Sequence, residues 1–308
     1  KNKKILPLSG KSFSKTLDCN ENGYFSIYAS DRYGFNNIDK NWDNNEIDYL
    51  LIGDSFVHGQ CVYEKDTISG NLRKLKDNKK GILNLGYSST SILAQYATLK
   101  EYFPNKKVNN IIYFYHEGND LKGLSTELKD NILQNYISDQ KYSQNLRDKQ
   151  KEIDNLITKT VKQALNKPIT EFVPESFAPN KFNFVKFLKL TNFREIYLNN
   201  LSYSPNKKEF FRILQLTKKF SDKKKSNFYF VYLPEYFRYA GIDRKNLNNY
   251  EEIIKTVEKM NINIIDLHKN IIQEVENPLD LYPFGNFGHF NEIGYETVAK
   301  IIFKKIKN

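Results

Sequence analysis

Ile47-Asp48-Tyr49-Leu50-Leu51-Ile52-Gly53-Asp54-Ser55 is the stretch on which the reading of this chain turns. An apolar run this short, closed by Gly, reads as a buried parallel strand, because an amphipathic helix needs ten or more periodic residues to bury one face. The same unit recurs on both sides. Thr67 to Leu75 predicts a helix, and Ile82 to Leu85 predicts a second short strand ending at Gly86. Ser91 opens a helix with Ile92, Tyr96, Leu99 and Phe103 on one face, stopped by Pro104. Ile111 to Tyr115 predicts a third strand, ending at Glu117-Gly118-Asn119-Asp120. Further on, Glu209 to Phe220 predicts a helix, Phe228 to Leu233 a fourth strand stopped by Pro234, Tyr250 to Met260 a helix and Ile262 to Leu267 a fifth strand. A last helix starts at Asn291, a good N-cap residue, with Glu292 in its first turn. Strands separated by helices imply an α/β fold, here a three-layer α/β/α sandwich on a five-stranded parallel sheet. Ligands of such sheets bind outside the carboxyl ends of the strands. Ser55, Gly86 and Asn119 each sit just past such an end.

Two regions break the rhythm. Residues 1–46 are polar and Asn-rich, with an alternating run from Tyr24 to Ala29, and are expected to form an arm packing on the α/β domain of residues 47–308. Residues 122–208 are mostly polar and helical in pattern, with an aromatic and basic part from Phe182 to Leu201. They read either as a helical insertion, a lid over the cleft, or as ordinary crossover helices.

The chain has 308 residues, enough for one large α/β domain, and 47 basic against 36 acidic side chains give a net charge of +11. A basic surface favours anionic partners. The sequence carries no aromatic RNA-binding signature, zinc-finger spacing or Gly-rich phosphate loop, so a nucleic-acid partner is not expected. No stretch approaches the roughly 18–20 apolar residues of a membrane-spanning helix. The sequence begins with Lys, and a membrane anchor preceding it is compatible with the reading. Cys19 and Cys61 are the two cysteines; they read either as reduced thiols or as one disulfide tying the arm to the loop after the first core strand, which would imply an oxidising compartment. The four histidines are too scattered for a metal site, and no metal or cofactor is expected.

Acyl transfer needs a nucleophile, a base and donors for an oxyanion. Ser55 follows a buried strand at a Gly-bearing turn; Val57 stands where the second Gly of a GxSxG elbow would be. Gly86 lets its backbone N–H approach a substrate closely, and Asn119 offers an amide donor. With the Ser55 N–H these make a three-donor hole. A Ser after Gly-Asp is otherwise a turn or cap residue, and Asn119 an Asx-turn residue. His289 reads as the base, the bland reading being a helix-entry hydrogen bond. Asp54 is expected to brace the loop and, with His58 and Glu117, to line the cleft, His116 to pack behind the site and His268 to be structural.

The ordered set resembles the SGNH (GDSL-type) hydrolase superfamily. Its blocks resemble Gly53-Asp54-Ser55-Phe56, then Leu83-Asn84-Leu85-Gly86, then Asn119-Asp120, then Gly288-His289-Phe290-Asn291-Glu292-Ile293-Gly294, and together they span most of the core. The resemblance implies a flavodoxin-like α/β/α fold and an esterase, lipase or glycan O-acetyltransferase. It also implies an acylated small molecule or glycan as partner and, with a disulfide, work in the periplasm or at the cell surface. Two places depart from the family. Glu117 stands where the third block carries Gly. Asn286 stands where the last block carries Asp three residues before His, and Asn cannot balance the charge of a protonated imidazole. Asn286 itself, Asp280 or Glu292 are the candidates for orienting His289; otherwise it works in a dyad or through backbone carbonyls. An inert glycan-binding or scaffold module is the competing reading, favoured by Asn286; a lipase or thioesterase is a further one.

Overall fold

The computed structural model describes residues 5–76, 81–166 and 206–307. A short antiparallel pair, β1 (Lys15–Leu17) and β2 (Ile27–Ala29), precedes the main sheet. That sheet contains β3 (Glu46–Ile52), β4 (Gly81–Asn84), β5 (Lys107–His116), β6 (Asn227–Leu233) and β7 (Asn263–Asp266) in the order β4-β3-β5-β6-β7. All its pairings are parallel. The order reverses at β3, so the crevice of a doubly wound sheet falls beyond the ends of β3 and β5.

Side chains alternate across the strands and divide the interior into two cores. Ile111, Tyr113 and Tyr115 of β5, with Phe228, Phe230 and Tyr232 of β6, face one core. Ile112 and Phe114, with Val231 and Leu233, face the other. Helices α3 (Ile92–Tyr102), α4 (Asp120–Glu127), α5 (Asn131–Ser138), α6 (Gln150–Leu165), α7 (Lys207–Lys223) and α9 (Tyr250–Lys259) cover the first. The one-turn α1 (Ser55–His58), α2 (Ile68–Leu75), α10 (Leu267–Glu274) and α11 (Glu292–Lys307) cover the second, and α8 (Tyr236–Tyr239) follows β6. The result is the expected three-layer α/β/α sandwich, with near-continuous apolar strands because both faces of the sheet are covered.

Some elements differ from expectation, each for a tertiary reason. Strand β5 starts four residues earlier than its apolar run, at Lys107, because pairing with β3 on one side and β6 on the other supports its polar start. The Asn110 amide, for example, donates to the Asp48 carbonyl at 3.0 Å. Helix α10 follows β7 without a loop and is capped by Asp266, whose carboxylate accepts from the Lys269 N–H at 3.1 Å. Between residues 122 and 166 there are separate short helices, of which α5 and α6 place Leu133, Tyr136 and Ile153 in the first core. The aromatic and basic stretch Phe182 to Leu201 lies outside the described residues.

The N-terminal arm is fastened by buried polar contacts. Asp31, fully buried, accepts from the Tyr33 N–H at 2.8 Å, the Phe35 N–H at 3.0 Å, the Asn37 amide at 2.9 Å and the Trp42 indole at 2.7 Å. Asn37 also exchanges two hydrogen bonds with the backbone of Asn84, so its amide closes the exposed edge of β4 as a strand neighbour would. Burial raises the Asp31 carboxyl above its ordinary range, and these donors oppose that cost. Asp31→Ala strands several buried donors at once. It is expected to destabilise the protein by about 2–5 kcal/mol, read as a lower urea midpoint at unchanged m-value; a loss under ~1 kcal/mol would contradict this account.

Candidate active site

Strand β3 delivers Gly53, Asp54 and Ser55 to the carboxyl rim of the sheet. Gly53 is obligatory in packing terms, since a Cβ there would run into Val57 and Phe114. Asp54 caps α1, accepting from the Phe56 N–H at 3.0 Å with one oxygen. Its other oxygen accepts from the Asn119 amide at 2.9 Å. One buried carboxylate therefore ties the loop after β3 to the loop after β5 and brings Ser55 and Asn119 to one place.

His289 arrives on the loop before α11. Asn291 holds that loop by donating its amide to the carbonyls of Asp280 (2.8 Å) and Tyr282 (3.0 Å). The Asn291 side-chain oxygen meanwhile accepts from the Gly294 N–H at 2.9 Å and so caps the helix. Phe56 lies beneath the imidazole, ring centres 4.9 Å apart. The outcome is a hydrogen bond of 2.8 Å between His289 Nε2 and Ser55 Oγ. Ser55 is 8 % exposed, so its hydroxyl sits in a recess with a defined partner.

The other ring nitrogen finds an unanticipated group. His289 Nδ1 lies 3.1 Å from each carboxylate oxygen of Glu21, and the His289 backbone N–H donates to the same carboxylate at 2.6 Å. With Nδ1 carrying the proton, Nε2 is left as the acceptor that faces Ser55. The three residues expected to orient His289 are engaged elsewhere. Asn286 donates to the Phe284 carbonyl of its own loop, Asp280 accepts from Asn277, and Glu292 accepts from the Tyr24 hydroxyl. Desolvation pushes the Glu21 carboxyl up, but the hydrogen bonds and charge of His289 outweigh it and hold Glu21 below its ordinary value of 4.5.

Glu21 reaches this position because the arm is bonded to the loop after α1. Cys19 and Cys61 form a disulfide, with Cα atoms 5.0 Å apart. The sequence left this pairing open, and Glu21 was missed with it, since the bond is one of the contacts, with those of Asp18 and Asn22 to Cys61, that bring residues near position 20 beside Ser55. Two sets of ligand-type atoms gather within 4.8 Å of one another: Asp18 with Cys19 and Cys61, and Glu21 with Cys61 and His289. Both include disulfide sulfur, which offers no thiolate to a metal.

Of the three expected oxyanion donors, two are free to serve. The Ser55 N–H takes no hydrogen bond among the described residues. The Asn119 amide has one hydrogen on Asp54 and one remaining. The Gly86 N–H, by contrast, donates to Asn84 Oδ1 at 2.8 Å. The missing side chain of Gly86 serves packing: a Cβ there would collide with the backbone of Val57 and His58 in α1. Two cleft residues are also relocated. His58 is buried against Tyr28 and Tyr87. Burial lowers its pKa despite the opposing pull of Asp18. Glu117 is wholly buried, held by Arg238 and by the Tyr232 hydroxyl, and lines no cleft. His116 is buried with its ring stacked on Phe56 at 4.4 Å. His268 packs on Tyr239 and Tyr250.

Fold and site together define a doubly wound α/β protein with a serine, an imidazole and a carboxylate hydrogen-bonded in line at the carboxyl rim of its sheet. No protein-family model matches the chain, and no curated protein matches it. Solved structures similar to it include a lipase/acylhydrolase from Enterococcus faecalis, at 13% identity and a TM-score of 0.46, covering 85% of this chain and 95% of that one. Another is a member of the lipolytic protein G-D-S-L family from Veillonella parvula, at 10% identity and a TM-score of 0.46, covering 85% and 99%. At these values the likeness is remote, and the site stands on its own geometry.

The depressed Glu21 pKa fixes a pH dependence. Stability from the Glu21–His289 pair is present above the unfolded carboxyl value and is lost as pH falls through the lower folded value. The stability gap between wild type and Glu21→Gln, about 1 kcal/mol for a partly exposed charged hydrogen bond, is therefore expected to be full at neutral pH and to close below pH 4.5. Denaturant titrations across that range check it; a gap that widens in acid would contradict the assignment.

Proposed function

We propose that the chain is a serine-dependent acyl-ester hydrolase or O-acetyltransferase of the SGNH kind, acting on acyl groups of glycans. The observation that carries the reading is the 2.8 Å contact between Ser55 Oγ and His289 Nε2, with Glu21 on the opposite nitrogen. Ser55 Oγ adds to the ester carbonyl carbon while its proton passes to Nε2. The Ser55 N–H and the Asn119 amide hold the oxygen as it becomes negative. When the tetrahedral adduct collapses, the C–O bond to the alcohol breaks, and Nε2 returns the proton to the leaving oxygen. Water or a sugar hydroxyl then repeats the steps on the acyl-Ser55 ester, giving hydrolysis or transfer. Glu21 keeps Nδ1 protonated and stabilises the imidazolium without taking its proton.

The feature that favoured an inert module was Asn286, which cannot supply the charge the family draws from Asp. Glu21 supplies that charge from another part of the chain, and this supports a working site. The glycan substrate rests on the resemblance of the sequence blocks. The disulfide supports an oxidising compartment such as the periplasm or the cell surface. Among the described residues no helix is long and apolar enough to cross a membrane.

Ser55→Ala is expected to abolish p-nitrophenyl acetate turnover and fluorophosphonate labelling; labelling that survives the substitution would overturn the nucleophile assignment. His289→Ala should lower kcat/KM by about 10³-fold or more. Asn119→Ala should lower kcat by about 10²–10³-fold at little change in KM, as for removal of an oxyanion donor. An unchanged kcat would remove Asn119 from the site.

A further inference from the structure

We propose that the Cys19–Cys61 disulfide is a positioning element for the Glu21–His289 pair, so that its reduction slows acyl transfer by releasing Glu21; the inference rests on the reading of Ser55 and His289 given above. Glu21 lies in the turn between β1, which ends at Leu17, and β2, which starts at Ile27, and that hairpin is only three residue pairs long. Nothing in so short a ribbon defines where its tip points. The tip is defined by what it touches. Asp18 accepts from the Cys61 N–H at 2.8 Å, Asn22 donates to the Cys61 carbonyl at 3.1 Å, and Tyr24 stacks on Tyr63 at 5.1 Å. These contacts all converge on residues 61–63, and the disulfide is the covalent member of the set. Cys61 itself sits at φ 68°, a left-handed conformation uncommon for non-glycine residues.

A second, independent observation places the bond at the chemistry. The Cys61 sulfur lies within 4.8 Å of both a Glu21 carboxylate oxygen and a His289 ring nitrogen. As a disulfide sulfur it carries no proton. Once reduced it becomes an S–H that competes with Nδ1–H for the Glu21 carboxylate. Reduction therefore acts twice on one hydrogen bond, by loosening the hairpin tip and by adding a rival donor.

The step is a thiol–disulfide exchange with a dithiol. Cys61 is wholly buried and Cys19 is partly exposed, so the dithiol thiolate attacks Cys19 Sγ. The Cys19–Cys61 bond breaks and Cys61 leaves as a thiolate that takes a proton. The second thiol of the reagent then displaces Cys19, which takes the other proton. The reagent ends as its cyclic disulfide, two electrons poorer, and the protein as two thiols.

The test compares wild type and Glu21→Gln, each oxidised and each reduced with dithiothreitol, on p-nitrophenyl acetate, counting only the turnover that Ser55→Ala abolishes. Reduction is expected to lower wild-type kcat about tenfold with KM nearly unchanged. It should leave Glu21→Gln almost unaffected, because that variant has already lost the charged acceptor. The downfield Nδ1–H proton resonance of His289, present in the oxidised protein, should fade on reduction while far-UV circular dichroism stays constant. The resonance reads the positioning role even if no ester is turned over, so failure of the esterase reading and failure of this one are separable. The proposal is overturned if reduction leaves the resonance and the rate intact. It is equally overturned if reduction slows Glu21→Gln as much as wild type. A reduced chain that unfolds as a whole overturns it too, since the bond would then hold the fold and not the pair.

Discussion

An imidazole can take a proton from a serine only if its near nitrogen is bare, and in this molecule that condition is met by one hydrogen bond on the far side of the ring. Glu21 accepts from His289 Nδ1 and thereby leaves Nε2 as the acceptor for Ser55 Oγ. The same carboxylate accepts the His289 backbone N–H, so it fixes the position of the residue as well as the tautomer of its ring. Remove that interaction and the serine still stands at the rim of the sheet, but with no oriented base. The parallel sheet and the helices on its two faces supply the platform, and a short hairpin from outside it supplies the carboxylate on which the proposed chemistry depends.

The platform follows from simple constraints. Strands buried on both faces must be apolar on both faces, and parallel strands need crossovers, so a chain of short apolar runs and helices has few arrangements open to it. The carboxyl ends of β3 and β5 then lie side by side where the winding reverses. What chain topology does not ensure is that two adjacent loops hold a fixed spacing. Asp54 does this by spending one oxygen on its own helix and the other on Asn119. Second to Asp54 is Asp120, which accepts from the His116 N–H at 2.7 Å, and whose carboxyl is raised well above its ordinary range by burial and by the charge of Asp54.

The strands, most helices and the meeting of Ser55, Asn119 and His289 at one rim were legible in the sequence because each signal is local: a periodicity, a glycine past a strand, an asparagine before a helix. The misses are all non-local. Gly86 has the right place for an oxyanion donor, yet Asn84, two residues earlier, takes its N–H; only the side-chain geometry of Asn84 reveals this. Glu117 looked like a cleft residue because it follows a strand, but Arg238 and Tyr232, brought beside it by the β5–β6 pairing, draw it into the interior. Glu21 lay in a segment with no strong pattern at all. Its signal was indirect: two cysteines whose pairing, left open by the sequence, would have carried it toward Ser55.

This division has an energetic logic. The groups that make the rim polar, Asp54, Asp120, Glu117 and His58, are all buried, and each costs desolvation free energy that a purely apolar rim would avoid. A buried carboxylate with two hydrogen bonds has few alternative positions, however, so the loops it joins cannot drift relative to each other. Glu21 differs in kind. Its side chain keeps 32 % of its surface in contact with solvent, so its desolvation cost is lower and its hold on His289 is correspondingly easier to lose. A partly exposed acid on a three-pair hairpin stays in register with a buried serine only if something besides its own hydrogen bonds resists the hairpin's motion. A covalent bridge to the loop just beyond the serine does that without adding another buried charge to a rim that already holds several.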